Sequence, residues 1–149
     1  EDLGPIPMDP DAVPLDEAEF IISAGNGVRD WEAFSAMTER LGAKKGGSRV
    51  VVDNGEMPWE RQVGASGTIV HPRCYVALGI SGAPQHLQGV EDVPNVIAVN
   101  LDPNCAMMKR ADLGIVGDVQ EIMGVMAQMA GPPAASRDDG TQAEAGDDA

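Results

Sequence analysis

Apolar positions along this chain fall into two kinds of block. Phe20 to Ile22, Val50 to Val52, Tyr75 to Leu78 and Val96 to Val99 are continuous apolar runs of strand length, and Leu113 to Val116 is a weaker run broken by Gly114. Elsewhere the apolar residues are spaced. Trp31, Phe34, Met37, Thr38 and Leu41 recur every three or four residues, as do Ile122, Val125, Met126 and Met129, so each set marks one face of a helix. The spacing predicts strands at the five runs, a helix from about Trp31 that ends at Gly42, and a last helix from about Val119 to Met129. The Val50 to Val52 run is β-branched and closed by Asp53-Asn54-Gly55, and is read as the second strand. Runs apolar on both faces suit strands of a parallel sheet covered on both sides. Strand and helix in alternation predict an α/β fold: a three-layer, doubly wound, mainly parallel sheet.

Charge sharpens the boundaries. The 149 residues fit one domain and leave no room for two full ones; 24 acidic against 10 basic residues give a net charge of -14. Residues 1–19 hold seven acidic residues, four prolines and no basic residue, and read as a linker. Residues 131–149 hold five acidic residues and only Arg137, with no large apolar side chain beyond prolines, and read as a disordered tail. Residues 20–130 then form the folded domain, with twelve acidic and nine basic residues. So acidic a chain is a poor partner for nucleic acid or anionic membrane. Its apolar runs fall short of the roughly 18 residues that span a bilayer, no charged-then-apolar leader opens it, and it is expected to be soluble. Two cysteines, Cys74 and Cys105, favour a reducing compartment, and no metal-ligand spacing is present. A start at Glu1 rather than Met points to a processed product or a fragment.

The strand ends carry the chemistry. They finish at Ser23-Ala24-Gly25, Asp53-Asn54-Gly55, Gly79 to Gly82, Asn100 and Gly117-Asp118, all small or polar. Open α/β sheets bind ligands outside the carboxyl ends of their strands, where such residues expose backbone amides and supply hydroxyl, amide and carboxylate groups. A nucleotide is the natural ligand. The segment from Gly79 to His86 combines glycines that admit close backbone approach with the start of a short helix, an anion-binding arrangement, although it lacks the G-x-G-x-x-G spacing.

Arg73-Cys-Tyr-Val-Ala-Leu-Gly-Ile-Ser-Gly-Ala-Pro-Gln-His-Leu87, together with Ser48-Arg-Val-Val-Val-Asp53, Gln62-Val-Gly-Ala-Ser-Gly67, Val96-Ile-Ala-Val-Asn100 and Ala111-Asp-Leu-Gly-Ile-Val-Gly-Asp118, resembles the C-terminal FAD-binding domain of the alpha subunit of electron transfer flavoproteins. The resemblance covers Phe20 to about Met129; the family's N-terminal domain has no counterpart in these residues. It implies a Rossmann-like NAD/FAD-binding fold, FAD as cofactor, and a heterodimer with an electron transfer flavoprotein beta subunit. It also implies a flavin-dependent dehydrogenase as electron donor and a quinone-linked or other oxidoreductase as acceptor, in the cytoplasm or, in a eukaryote, the mitochondrial matrix.

Residue roles follow from the resemblance alone. Ser48 is implied to meet the cofactor and the Arg49 guanidinium to lie against the isoalloxazine. Val63, Gly64, Ala65 and Ser66 match a V-G-Q-T stretch whose last hydroxyl bonds the flavin N5; serine keeps that hydroxyl and alanine loses an amide. Ser81, Gly82, Ala83, Pro84, Gln85 and His86 match the cofactor loop, with His86 near the pyrimidine end and Pro84 where isoleucine is usual. Asn100 and Asp118 match positions that hold the adenosine half, and Val119 follows where leucine is usual. Asn26 stands where the family carries an arginine toward the cofactor, and Arg29 is a second candidate for that charge.

These departures motivate a competing expectation, a nucleotide-binding structural module that has lost the redox flavin. An autonomous enzyme is a weaker reading, because Ser66 with His71 or His86 as base lacks a G-x-S-x-G elbow. The favoured expectation is an electron carrier with no substrate pocket of its own. The methionines read as core or interface filler and Cys74 as core packing.

Overall fold

A computed structural model describes residues 14–130. Five parallel strands form one sheet: β1 (Phe20–Ala24), β2 (Lys44–Gly47), β3 (Cys74–Leu78), β4 (Val96–Asn100) and β5 (Leu113–Val116), in the order β2-β1-β3-β4-β5. Helices α1 (Trp31–Leu41), α2 (Arg49–Asp53), α3 (Pro84–Gln88), α4 (Ala106–Arg110) and α5 (Val119–Ala130) connect and follow them. Because every strand is parallel, each pair needs a crossover, and the crossovers cover both faces.

Successive residues of the central strands feed two cores. Ile22, Ala24, Val76, Leu78 and Val99 pack with Phe34 and Met37 of α1 and Val119 and Met123 of α5. Ile21, Tyr75, Ala77, Val96 and Ala98 face the other way, against Val63, Val70, Val90, Val93 and Met107. That is why the apolar runs are continuous. Helix α1 starts at Asp30, whose Oδ1 accepts from the Ala33 N–H at 3.0 Å, and ends at Gly42. The α/β, three-layer, parallel arrangement is the one the alternation predicts.

Three local features differ from the sequence reading. The Val50 to Val52 run lies inside α2, and the second strand is Lys44–Gly47. Propensity loses to packing here: Gly46 sits so near β1 that a Cβ would come within 2.5 Å of Ser23 Oγ, while of the three valines only Val51 is buried. The carboxyl end of the second strand is therefore Gly47-Ser48 rather than Asp53-Asn54-Gly55, which puts Ser48 and Arg49 directly at the sheet edge.

The packed unit also begins before Phe20. Leu15 to Glu17 form a single 3-10 turn, and Leu15 and Ala18 are buried in the same core as Ile21 and Tyr75. Residues 1–13 and 131–149 lie outside the described residues. Helix α4 has no apolar period long enough to signal it; it is fixed at its end by Arg110, whose Nη2 donates to the Val90 and Val93 carbonyls at 2.9 and 3.1 Å. Among the described residues no helix is long and apolar enough to cross a membrane.

Strand order reverses between β1 and β3: the chain leaves β1 toward β2 on one side and leaves β3 toward β4 on the other. The connections diverge there, opening a crevice at the carboxyl ends of β1 and β3, the general ligand position of doubly wound sheets.

Candidate cofactor-binding site

Two adjoining cavities fill that crevice. The larger, about 420 Å³, is lined by Ser48, Arg49, Gln62, Val63, Gly64, Ser66, Ser81, Gly82, Ala83, Gln85 and His86 among others. The second, about 240 Å³, is lined by Arg29, Asn100, Asp118, Val119 and Gln120. Asn26, Gly79 and Ser81 line both, so the two form one trough along the sheet edge. A divided trough suits a long ligand with two ends.

Each wall is held by backbone bonds. The loop 62–68 is tied to β2 by Val63 N–H donating to the Gly47 carbonyl at 2.9 Å, and to the α3 loop by Ala65 N–H donating to the Gln85 carbonyl at 2.8 Å. Its Ser66 hydroxyl accepts from Gln62 Nε2 at 2.9 Å. Gln62 is itself buried, so the donor is fixed and the Ser66 proton is left to point elsewhere. Opposite, the Met107 N–H donates to the Ser81 carbonyl at 3.0 Å and anchors the loop that carries Gly82. Pro84 takes the first position of α3, where an N–H would have no intrahelical partner, so the helix loses nothing by it.

Electrostatics separate the two rims. Arg49 Nε lies 3.4 Å from Asp53 Oδ2 one helical turn on, with both side chains mostly exposed, a weak pair that leaves the guanidinium available to the trough. His86 is buried, its Nε2 lies 2.6 Å from the Tyr75 hydroxyl, and burial lowers its pKa to about 4, so the imidazole is neutral near pH 7. Burial also holds the Tyr75 phenol above the ordinary range. At the far end Asp118 Oδ1 accepts from the Gln120 N–H at 2.7 Å and starts α5. Asn100 is used at both ends of its amide, Nδ2 donating to the Ile80 carbonyl at 3.1 Å and Oδ1 accepting from the Asp102 N–H at 3.0 Å.

Residues 14–91 match the family described as the electron transfer flavoprotein FAD-binding domain. The chain belongs to the alpha-subunit family of electron transfer flavoproteins. It is 57% identical over 123 residues to the electron transfer flavoprotein subunit alpha of Chromohalobacter salexigens, covering 83% of this chain and 29% of that protein. It is 44% identical over 120 residues to the acryloyl-CoA reductase electron transfer subunit beta of Anaerotignum propionicum, covering 76% of this chain and 33% of that one. A probable mitochondrial alpha subunit of Schizosaccharomyces pombe is 40% identical over 113 residues, 73% of this chain and 33% of its own length. The chain thus spans about a third of the length of these relatives.

Two orphaned polar atoms test whether a flavin nucleotide fits this electron transfer flavoprotein domain. Ser48 Oγ and His86 Nδ1 are buried without a hydrogen-bond partner, and both residues line the larger cavity. Buried polar atoms are rarely left unpaired, and a ligand bearing carbonyls and ring nitrogens would satisfy both. The residues present fit the group. Of the positions implied by the family resemblance, Ser48, Arg49, Val63, Gly64, Ser66, Ser81, Gly82, Ala83, Gln85 and His86 line the first cavity, and Asn100, Asp118 and Val119 the second. Ala65 and Pro84 line neither; they shape the walls through backbone. Gln62 and Tyr75 carry no site signal in the sequence, because a buried polar residue that serves another side chain has no spacing signature. Asn26 lies on the trough, and Arg29 lines the second cavity with it. Among the described residues no group of His, Cys, Asp or Glu is placed to hold a metal.

Proposed function

We propose that this chain is the FAD-holding part of an electron carrier, loaded by a flavin-dependent dehydrogenase and unloaded by a quinone-linked or other oxidoreductase, and working as a heterodimer with an electron transfer flavoprotein beta subunit. The observation that carries the reading is the pair of orphaned atoms, Ser48 Oγ and His86 Nδ1, in one cavity at the β1/β3 crevice. When bound there, FAD supplies the electron-accepting ring. The protein supplies the setting. Ser48 and His86 would offer hydrogen bonds to polar edges of the ring; Ser66, its oxygen already bonded by Gln62, would have its proton free to donate to it; and Arg49 would set a positive charge beside a ring that gains a negative one on reduction. Asp118, Asn100 and Arg29, which line the second cavity, would hold the adenosine half, with Arg29 the cation of that cavity. No group acts as nucleophile or general base in this scheme: the chain is a carrier rather than an enzyme in its own right. Bacterial cytoplasm, or the mitochondrial matrix in a eukaryote, suits such a carrier.

Arg49 tests the proposal. A unit charge beside the ring, discounted because the Arg49 side chain is 70% exposed and shared with Asp53, contributes on the order of 1–2 kcal/mol to the reduced state. At about 59 mV and about 1.4 kcal/mol per tenfold change for one electron, Arg49→Ala lowers the first reduction potential by roughly 40–90 mV. Arg49→Lys recovers part of it, since lysine keeps the charge without the planar face. Potentiometric titration in which both variants match the parent would remove Arg49 from the site.

A further inference from the structure

We infer that Tyr75 is a positioning residue for this site: its phenol donates to His86 Nε2, holds the imidazole as the Nδ1–H tautomer, and so makes His86 a hydrogen-bond donor toward the trough. The inference rests on the flavin reading only for the identity of the group that accepts from Nδ1.

The proton count decides the direction. A neutral phenol and a neutral imidazole bring one O–H and one N–H to a contact of 2.6 Å between the Tyr75 oxygen and Nε2. If Tyr75 donates, Nε2 is the acceptor and the imidazole proton sits on Nδ1. If Nε2 donates instead, the phenol proton needs another acceptor. The phenol's side-chain neighbour is Ser23, on the adjoining strand, and the Ser23 hydroxyl lowers the phenol pKa, as a donor to the phenol oxygen does. Tyr75 is fully buried, so water cannot take the proton either. The second arrangement sets the phenol proton against the Ser23 proton and turns Nδ1 into a bare acceptor; the first lets the phenol oxygen accept from Ser23 and donate to Nε2, and leaves a single open donor, Nδ1–H, on a residue that lines the ligand cavity.

Both groups stay neutral, which keeps the tautomer defined. Burial disfavours the imidazolium and the phenolate alike. The geometry is also hard to relax. Tyr75 lies in central strand β3, paired with Ile21 and Val96, and the two rings sit 5.9 Å apart at 47°. The tautomer is thus set by the sheet rather than by the loop that carries His86, and the donor is in place before a ligand arrives.

Nitrogen-15 NMR of the full chain, labelled at histidine, tests this directly, because the chain has two histidines and only His86 is buried. Two-bond couplings identify which nitrogen carries the proton. The expected spectrum shows His86 protonated at Nδ1 and bare at Nε2. In Tyr75→Phe, which keeps the ring and its packing, the proton spreads onto Nε2, and FAD binding weakens by roughly fivefold, the loss of about one neutral hydrogen bond. A parent spectrum with the proton on Nε2 overturns the inference even if the variant fails to fold, and so does a folded Tyr75→Phe with the tautomer unchanged. Flavin absorbance on the same samples separates the two readings. With the partner subunit added, bound flavin with Nε2–H refutes only the role of Tyr75, whereas Nδ1–H in an assembly that cannot take up flavin upholds it and refutes the cofactor.

Discussion

Gly82→Ala costs roughly 2–5 kcal/mol of stability and removes flavin binding. Gly82 has φ 92°, where an L side chain pays roughly 1–2 kcal/mol of backbone strain. The added Cβ would also lie 2.5 Å from Met107 N and 3.0 Å from Met107 Cα, and such overpacking costs typically about 1–3 kcal/mol more. Neither contact is a flexible side-chain tip. Both belong to the first turn of α4, whose Met107 N–H holds the Ser81 carbonyl, so relief of the clash pulls the loop 81–86 away from the trough. Gly55→Ala is the control: its φ is 82°, with nothing within 4 Å of the new Cβ, and it should show the conformational term alone. Urea unfolding of both variants separates the terms, and equal losses would show that the Met107 contact is unimportant.

Acid should destabilise the chain through His86. Its pKa is about 4 in the folded state against an ordinary 6.5, so between those values the unfolded chain binds the proton and the folded chain does not. Stability is fully present above about pH 6.5 and falls with pH at about 1.4 kcal/mol per unit until about pH 4, a loss of roughly 3 kcal/mol. Below that both states are protonated and this contribution levels off. The carboxylates add their own acid dependence, so the comparison is between the parent and His86→Gln, measured without flavin by denaturant unfolding at several pH values. The variant should lose the extra slope between about pH 6.5 and 4; equal slopes would place His86 in a wetter setting than the structure gives it.

Most of the sheet was legible because burial on both faces leaves an unmistakable mark: Tyr75 to Leu78 and Val96 to Val99 have no polar position to spare. The edge strand β2 was not. Lys44-Lys45-Gly46-Gly47 has the composition of a turn, and it is a strand because β1 needs a partner with no side chain opposite Ser23. Three consecutive valines carry no period, so nothing local distinguished a strand from the short helix α2. Leu15 was hidden among acidic residues and prolines, since one buried leucine makes no pattern. For the site, the motif match brought Ser48, Ser66 and His86 to one cavity, but their supports Gln62 and Tyr75 depend on contacts across 4 and 11 residues that only the folded chain defines. Asn26 is the reverse case. The sequence reads it as the loss of a cation, and the folded chain sets Arg29 in the lining of the same cavity.

The claim that this crevice holds a flavin nucleotide is tested most directly by the absorbance spectrum and cofactor mass of the protein purified with its partner subunit. The account predicts flavin bands and stoichiometric FAD, released on unfolding and diminished in Gly82→Ala. A colourless protein that takes up no FAD, or one that carries an adenine nucleotide without the isoalloxazine, would contradict it.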